Sequence, residues 1–585
     1  MSGPAQLRHG GDLIAAVLAK WNIPCVFTLC GGHISPILVG AKDAGLQIID
    51  CRDEKNAVFA ADAIARVTGL PGVAAVTAGP GVTNAITALK NAQLAQSPLV
   101  LFGGATATVL KGRGALQDID QIELVQGAVK WHAKVSTVKQ LGPMVQRALE
   151  EATSGVPGPV FLEVPVDVLY PEKIVKDWYL KESGVESAKS LGQKAIGLYL
   201  KGHLYRQFHA PHLDLAGAMP ELPKLRPVLS DGLEQAVKLL RKAERPALVI
   251  GSQTMVNCKD AAPLARAIES MGIPVWLGGM SRGLLGKDSA LQFRHARGKA
   301  LKDADVVVVC GFPFDFRLKY GLGIGRKAKV IAANLSAREL KKNRTPQVAL
   351  QMHAGDFLLR LAEKVSPQPK WKSFIDACRA REEARDAEIR GKASAAGPLV
   401  DPLHFFLRLE EKLAQDSVLV VDGGDFVATA AYILKPRGPL SWLDPGVFGT
   451  LGVGGGFAVG AAAARPKSEV WIIYGDGSSA YSLAEFDTFA RHGMAPIAVI
   501  GTDASWGQIA RDQVTILGSD VGTTLKRTAY HEVAQGYGGV GLLLDDPAKT
   551  DEVLDQAKAL SRQGKPVCIN VHLRKTDFRE GSISI

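Results

Sequence analysis

Val470-Trp471-Ile472-Ile473-Tyr474-Gly475-Asp476-Gly477 is an apolar run that stops at a glycine–aspartate–glycine turn, and a helical pattern follows over residues 483–492. A short apolar run bounded by a turn reads as a strand buried on both faces. Strand, tight turn and helix in that order bring backbone N–H groups and a helix N-terminus together, which makes a place for phosphate. Asp476 adds a hard oxygen ligand, suited to Mg2+ rather than to zinc. The tripeptide alone is also what an ordinary turn uses, since glycine and aspartate are favoured there on conformational grounds. A second apolar run, residues 496–500, ends in Gly501-Thr502-Asp503. Two such strand ends would set two carboxylates, Asp476 and Asp503, beside one Mg-diphosphate.

Outward from this stretch, the chain is βα-patterned three times over, so the fold class expected is α/β. The first unit has a helix near 12–21, strands near 26–29, 47–50, 73–77, 99–102 and 160–164, and an alanine-rich helix over 55–67 that follows Arg52-Asp53-Glu54. Its third strand meets Ala78-Gly79-Pro80-Gly81, a strand-to-helix turn with glycines where backbone must approach something closely. Residues 181–228 are proline-interrupted and read as a linker, with a helix near 195–204. The second unit, 229–365, carries a helix over 231–243 and strands at 247–250, 306–310 and 330–333. Polar, charged residues 366–400 read as a second linker, and 401–574 form the third unit. Its glycine run 449–456 nearly spells a dinucleotide fingerprint, but Phe457 stands at the third required position and no strand precedes it, so that reading fails.

At 585 residues the chain is too long for a single core. Apolar content of 47% and aromatic content of 6% indicate a globular chain rather than a disordered one. Seven cysteines without a Cys-x-x-Cys pair argue against zinc and against a disulfide framework. The start, Met1 to Gln6, lacks a basic and apolar signal, and no apolar stretch is long enough to span a bilayer, so a cytoplasmic location without a membrane partner is expected. The net charge of +11 is concentrated: residues 281–345 hold 15 Lys/Arg against five Asp/Glu. Such a patch is either a solvated face or a receptor for a polyphosphate ligand such as a nucleotide or coenzyme A. No recognition motif accompanies it, so nucleic acid is not expected as a partner.

Further motifs are Gly31-Gly32-His33-Ile34-Ser35-Pro36, Thr77-Ala78-Gly79-Pro80-Gly81, Arg113-Gly114-Ala115-Leu116-Gln117, Leu443-Asp444-Pro445-Gly446 and the tail Thr576-Asp577-Phe578-Arg579. With the 475–477 and 501–503 turns they resemble the thiamin diphosphate (ThDP) enzymes of the acetolactate synthase-like branch across nearly the whole chain. Within it the chain is most similar to the 2-hydroxyacyl-CoA lyases. The resemblance implies three doubly wound parallel-sheet domains: pyrimidine-binding (1–180), central and nucleotide-binding-like (229–365), and diphosphate-binding (401–574). It implies that Mg2+ takes Asp476, Asp503 and the carbonyl of Ser505, and that ThDP contacts Gly81, Gly475 and Gly477. Where relatives commonly have asparagine this chain has Asp503, which adds a negative charge at the metal.

By the same resemblance Glu54 would hydrogen-bond N1′ of the aminopyrimidine and drive its imino tautomer, although locally Glu54 also reads as an acid at a helix N-terminus. Leu451 matches the side chain that bends the cofactor, and Gln117 matches a residue that faces substrate. His33 is a candidate proton carrier, and Trp506 and Gln508 are candidates to line the substrate channel. Arg282, Arg297 and Arg317 are the candidate phosphate partners of CoA. The implied reaction cleaves the C1–C2 bond of a 2-hydroxyacyl-CoA to formyl-CoA and a shortened aldehyde, and runs in reverse as a condensation. A pyruvate-using carboligase, an oxalyl-CoA decarboxylase and a catalytically inactive relative are the alternatives. A homodimer or homotetramer with active sites between subunits is implied, and residues 575–585 are expected to be mobile without ligand and to close as a lid over the CoA thioester.

Overall fold

The computed structural model describes residues 9–182, 190–209, 230–256 and 261–580. Three wholly parallel sheets carry the fold. The first is built from β1 (Cys25–Thr28), β2 (Gln47–Asp50), β3 (Gly72–Val76), β4 (Leu99–Ala105), β5 (Trp131–Lys134) and β6 (Pro159–Pro165), in the order β2-β1-β3-β4-β6-β5. The second contains β7 (Pro246–Ile250), β8 (Val275–Leu277), β9 (Val306–Cys310), β10 (Lys329–Asn334) and β11 (Val348–Gln351), ordered β11-β10-β9-β7-β8. The third contains β12 (Val418–Asp422), β13 (Trp442–Leu443), β14 (Val470–Gly475), β15 (Ile497–Thr502), β16 (Val540–Leu544) and β17 (Val567–His572), ordered β13-β12-β14-β15-β17-β16. The first and third sheets thus share one strand order. One compact unit holds the first sheet and a second holds the other two.

Parallel strands must be covered on both faces, and the central sheet shows how the sequence does it. Val306, Val308 and Cys310 enter one apolar cluster while Val307 and Val309 enter the cluster on the opposite face. The glycine run rejected as a fingerprint has a packing role instead. It opens the helix Val453–Ala464, which lies against β12 and β14. A Cβ at Gly454 would sit 2.3 Å from the ring of Tyr474, so only glycine lets this helix approach the sheet.

Three expectations change. Residues 366–400 are not a bare linker: Lys372–Lys392 is a helix that buries Phe374, Cys378 and Ile389. In the segment 181–228, the helix expected at 195–204 runs from Leu191 to Phe208, and it packs Leu200 and Leu204 with Val175 and Tyr179 of the helix Glu172–Glu182. The first domain therefore extends beyond residue 180, while 183–189 and 210–229 lie outside the described residues. The tail is docked rather than loose over residues 575–580. Phe578 is buried in the core of the third domain, and Arg511 donates to the Arg579 carbonyl at 2.6 Å. Residues 581–585 of the expected lid lie outside the described residues.

Candidate active site

In an open α/β sheet, ligands bind beyond the strand C-termini where the strand order reverses. In the third domain that reversal falls between β12 and β14. The ends of these strands are Asp422-Gly423-Gly424-Asp425 and Gly475-Asp476-Gly477, and Asp503 follows the neighbouring β15. Asp476 is buried, and its two carboxylate oxygens accept from the N–H groups of Gly477 (2.8 Å) and Ala504 (2.9 Å). Asp503 Oδ1 accepts from the Ser505 N–H at 3.1 Å. Burial, and then the neighbouring Asp503, push the Asp476 carboxyl up to about 7; burial raises Asp503 as well. Two buried acids side by side are costly until a cation joins them, and both offer hard oxygens. This donor set fits Mg2+.

The glycine of the turn is dictated by a neighbour. A Cβ at Gly477 would lie 2.5 Å from the indole of Trp506, so that ring closes directly over the turn. Asp422, a third strand-end aspartate without an assigned role in the sequence reading, pins the loop that carries Leu451. Its carboxylate accepts from Gly452 N–H at 3.1 Å and Gly454 N–H at 2.8 Å, and burial pushes its carboxyl up to about 7. The strand-end position it shares with Asp476 and Asp503 was the signal that could have found it.

One cavity of about 650 Å³ is lined by Leu451, Gly475, Asp476, Gly477, Asp503, Ser505, Trp506 and Gln508, and also by Arg282, Arg297 and Arg317. Its size is that of a cofactor or substrate site. The three arginines differ. Arg317 is held by Asp315 through its Nε and one terminal nitrogen (2.6–3.2 Å) and stacks on Phe312. Arg282 lies over the Trp442 ring and donates to the Ala431 carbonyl; Arg297 donates to the Arg317 carbonyl. Neither Arg282 nor Arg297 has a carboxylate in ion-pair range among the described residues, and burial lowers both pKa values. Two such guanidiniums facing a cavity ask for an anion.

The loop bearing Arg297 is clamped from the helix Lys372–Lys392. Glu382 accepts from the N–H groups of Arg294 and His295, and Asp386 pairs with the Arg294 and His295 side chains. His295, Glu382 and Asp386 come close enough to hold a cation. Their carboxylates, however, are already engaged by Arg294 and the two N–H groups.

In the first domain the order reverses between β1 and β3, and the turn 77–81 is the hub. Glu54 begins the helix Glu54–Thr68, is 8% exposed, and accepts from Asn84 Nδ2 at 3.0 Å. A Cβ on Gly81 would lie 3.6 Å from Glu54 Oε1 and 3.0 Å from Thr77. His33 Nδ1 is 3.3 Å from Thr77 Oγ1, and burial lowers the pKa of the ring, so it is neutral at pH 7. Gln117 takes a left-handed φ of +61° and packs on Gly79. Glu54, Gly81, His33 and Gln117 are thus gathered around one turn. Asn84 and Gln121, which accepts the Gly79 N–H at 2.9 Å, are partners the sequence reading missed, because neither sits in a turn or motif.

Comparison with known proteins agrees with this geometry. Residues 8–124 match the thiamine pyrophosphate enzyme N-terminal TPP binding domain, 233–361 the central domain and 422–571 the C-terminal TPP binding domain. The chain is 48% identical to the 2-hydroxyacyl-CoA lyase 2 of Danio rerio, over 99% of this chain and 94% of that one. It is 44% identical to the 2-hydroxyacyl-CoA lyase 2 of Homo sapiens over 99% and 92%. Similarity also extends to an acetolactate synthase large subunit of Mycobacterium tuberculosis, 34% identical over 97% and 96%. The chain belongs to the thiamine pyrophosphate enzyme family, on the branch that includes the 2-hydroxyacyl-CoA lyase 2 proteins.

Proposed function

We propose that this protein is a ThDP- and Mg2+-dependent lyase that converts a 2-hydroxyacyl-CoA into formyl-CoA and an aldehyde one carbon shorter. The C1–C2 bond breaks, the 2-hydroxyl gives up its proton as it becomes the aldehyde carbonyl, and C1 takes up one proton as it becomes the formyl group. The balance needs no oxidant and no other reactant, so the reverse condensation uses the same site. The single observation that carries the CoA assignment is the pair Arg282 and Arg297. They are guanidiniums without a carboxylate in ion-pair range among the described residues, in the cavity that also holds Asp476 and Asp503.

Asp476, Asp503 and the Ser505 carbonyl would hold Mg2+, and the 475–477 turn and Leu451 would seat the cofactor. When bound, ThDP supplies an electron sink for the carbon released by cleavage. Glu54 would hold the proton at N1′ of the aminopyrimidine, with Asn84 fixing its carboxylate. His33, neutral and with Nδ1 turned to Thr77, leaves Nε2 to carry the substrate proton, and Gln117 would orient the substrate hydroxyl. We assign Glu54 and Asp476 of one active site to different subunits of a homodimer or homotetramer. Six free cysteines among the described residues fit a reducing, cytoplasmic setting.

The test is incubation of purified protein, ThDP and Mg2+ with 2-hydroxyacyl-CoA or with pyruvate, identifying products by mass. Formyl-CoA with the shortened aldehyde supports the proposal, and its loss in Glu54→Gln with ThDP binding retained places Glu54 in the chemistry. Acetolactate from pyruvate, with acyl-CoA untouched, would replace the proposal with the carboligase reading.

A further inference from the structure

The helix Leu191–Phe208, Leu-Gly-Gln-Lys-Ala-Ile-Gly-Leu-Tyr-Leu-Lys-Gly-His-Leu-Tyr-Arg-Gln-Phe, is apolar on two opposite faces. One face is explained. Leu200 and Leu204 are buried against Ala107, Val175 and Tyr179, and His203 Nε2 meets Thr108 Oγ1 at 2.8 Å, which fastens the helix to the first domain. The other face is not. Leu191, Leu198 and Tyr205 are 86%, 75% and 64% exposed.

Residues 191, 198 and 205 are seven apart, so they fall on one line of the helix, drifting only about 20° per step. Fourteen residues at a rise of 1.5 Å make this stripe about 21 Å long. Lys194 and Lys201 run along one flank, about 60° from the stripe, and Arg206 stands on the other. All three cations are exposed, and the helix contains no aspartate or glutamate.

We propose that this helix docks on an anionic bilayer surface, its leucines and tyrosines entering the headgroup boundary and Lys194, Lys201 and Arg206 meeting lipid phosphates or carboxylates. Charge selects this occupant over a second copy of the chain. A two-fold contact would set an acid-free, triply basic face against its own image, whereas anionic lipid matches both the stripe and its flanks. Tyrosine, with one apolar and one polar end, suits that boundary. The helix is a surface anchor only: no helix of the described residues is long and apolar enough to cross a membrane. This runs against the sequence expectation of no membrane partner.

The experiment is sedimentation of the full chain with phosphatidylcholine vesicles, with and without about 30% phosphatidylserine, at low and high salt, together with a sizing run without vesicles. The proposal expects binding to the anionic vesicles that salt weakens. It also expects at least about a tenfold loss in Lys194→Glu/Lys201→Glu and in Leu198→Gln/Tyr205→Ser, with ThDP binding and oligomeric state unchanged in both variants. Failure of the full chain to bind anionic vesicles overturns the proposal. Binding that neither variant reduces also overturns it. A smaller oligomer in Leu198→Gln/Tyr205→Ser would assign the stripe to a contact between copies instead.

Discussion

Magnesium should bind this protein with an affinity that climbs steeply with pH and levels off just above neutrality. Asp476 lies in a buried site beside Asp503, and its carboxyl is held near 7 instead of 3.8. At pH 6 such a group is about 90% protonated, and a cation must displace that proton, so each pH unit below 7 weakens Mg2+ about tenfold, or about 1.4 kcal/mol. The direction for folding follows from the same shift. The folded chain keeps this proton to higher pH than the unfolded chain does. Asp476 therefore opposes folding increasingly between pH 3.8 and about 7, by up to about 4 kcal/mol, and a bound cation removes that opposition. Asp422, also held near 7, acts on folding in the same direction but is not a metal ligand. Mg2+ titration calorimetry of ThDP-free protein from pH 5.5 to 8.5, in two buffers of different ionisation heat, reads both affinity and protons released. Nearly one proton should leave at pH 6 and almost none at pH 8.5, and Asp503→Asn should move the transition to lower pH while weakening the plateau. A flat affinity from pH 5.5 to 8, or binding without proton release at pH 6, would refute the reasoning.

Gly477→Ala should lose ThDP affinity and lower the thermal midpoint, because its Cβ would lie 2.5 Å from Trp506; overpacking of this kind costs about 1–3 kcal/mol, and adding Trp506→Leu should recover part of the loss. Arg282→Gln and Arg297→Gln should each raise KM for acyl-CoA about tenfold or more with ThDP affinity unchanged, as charge-assisted contacts to phosphate are worth about 1.5–3 kcal/mol. Arg317→Gln should instead show first as lost stability, since it removes the partner of Asp315; equal KM effects in all three would contradict the distinction. Phe578→Ala should destabilise the third domain by about 3–5 kcal/mol, because its ring is buried in the core against Tyr432, and an unchanged melting profile would return the tail to the status of a loose end.

The sequence by itself determined where most of the strands are and where they stop. β2 and β9 begin and end at the expected residues, 47–50 and 306–310, because short apolar runs closed by Asp, Gly or Cys-Gly leave the backbone little choice. Glycine and aspartate at those ends also made the phosphate and metal chemistry legible at 475–477 and 503. What the sequence obscured has a common cause. β5 (Trp131–Lys134), one of the strands not read from the sequence, alternates between half-buried and exposed residues at a sheet edge, and so lacked the apolar run that marked strands such as β9. Helix Lys372–Lys392 buries only three side chains of 21 residues, and its polar surface read as a linker. The carboxylates that make it part of the site, Glu382 and Asp386, act on Arg294 and His295 some 90 residues earlier.

The tertiary structure alone decided which arginines of the 281–345 patch face the cavity and which of them carry an ion pair. All three arginines line a cavity whose other wall comes from residues 421–509, but Arg317 is claimed by Asp315 two residues away, whereas neither Arg282 nor Arg297 has a carboxylate in ion-pair range among the described residues. It also decided that the Asp422 carboxylate is spent on the Gly452 and Gly454 N–H groups. Hydrophobic patterning specifies each strand locally, but which strands become neighbours is set by crossovers that bury both faces of a sheet, and that condition is written in no single stretch of the chain.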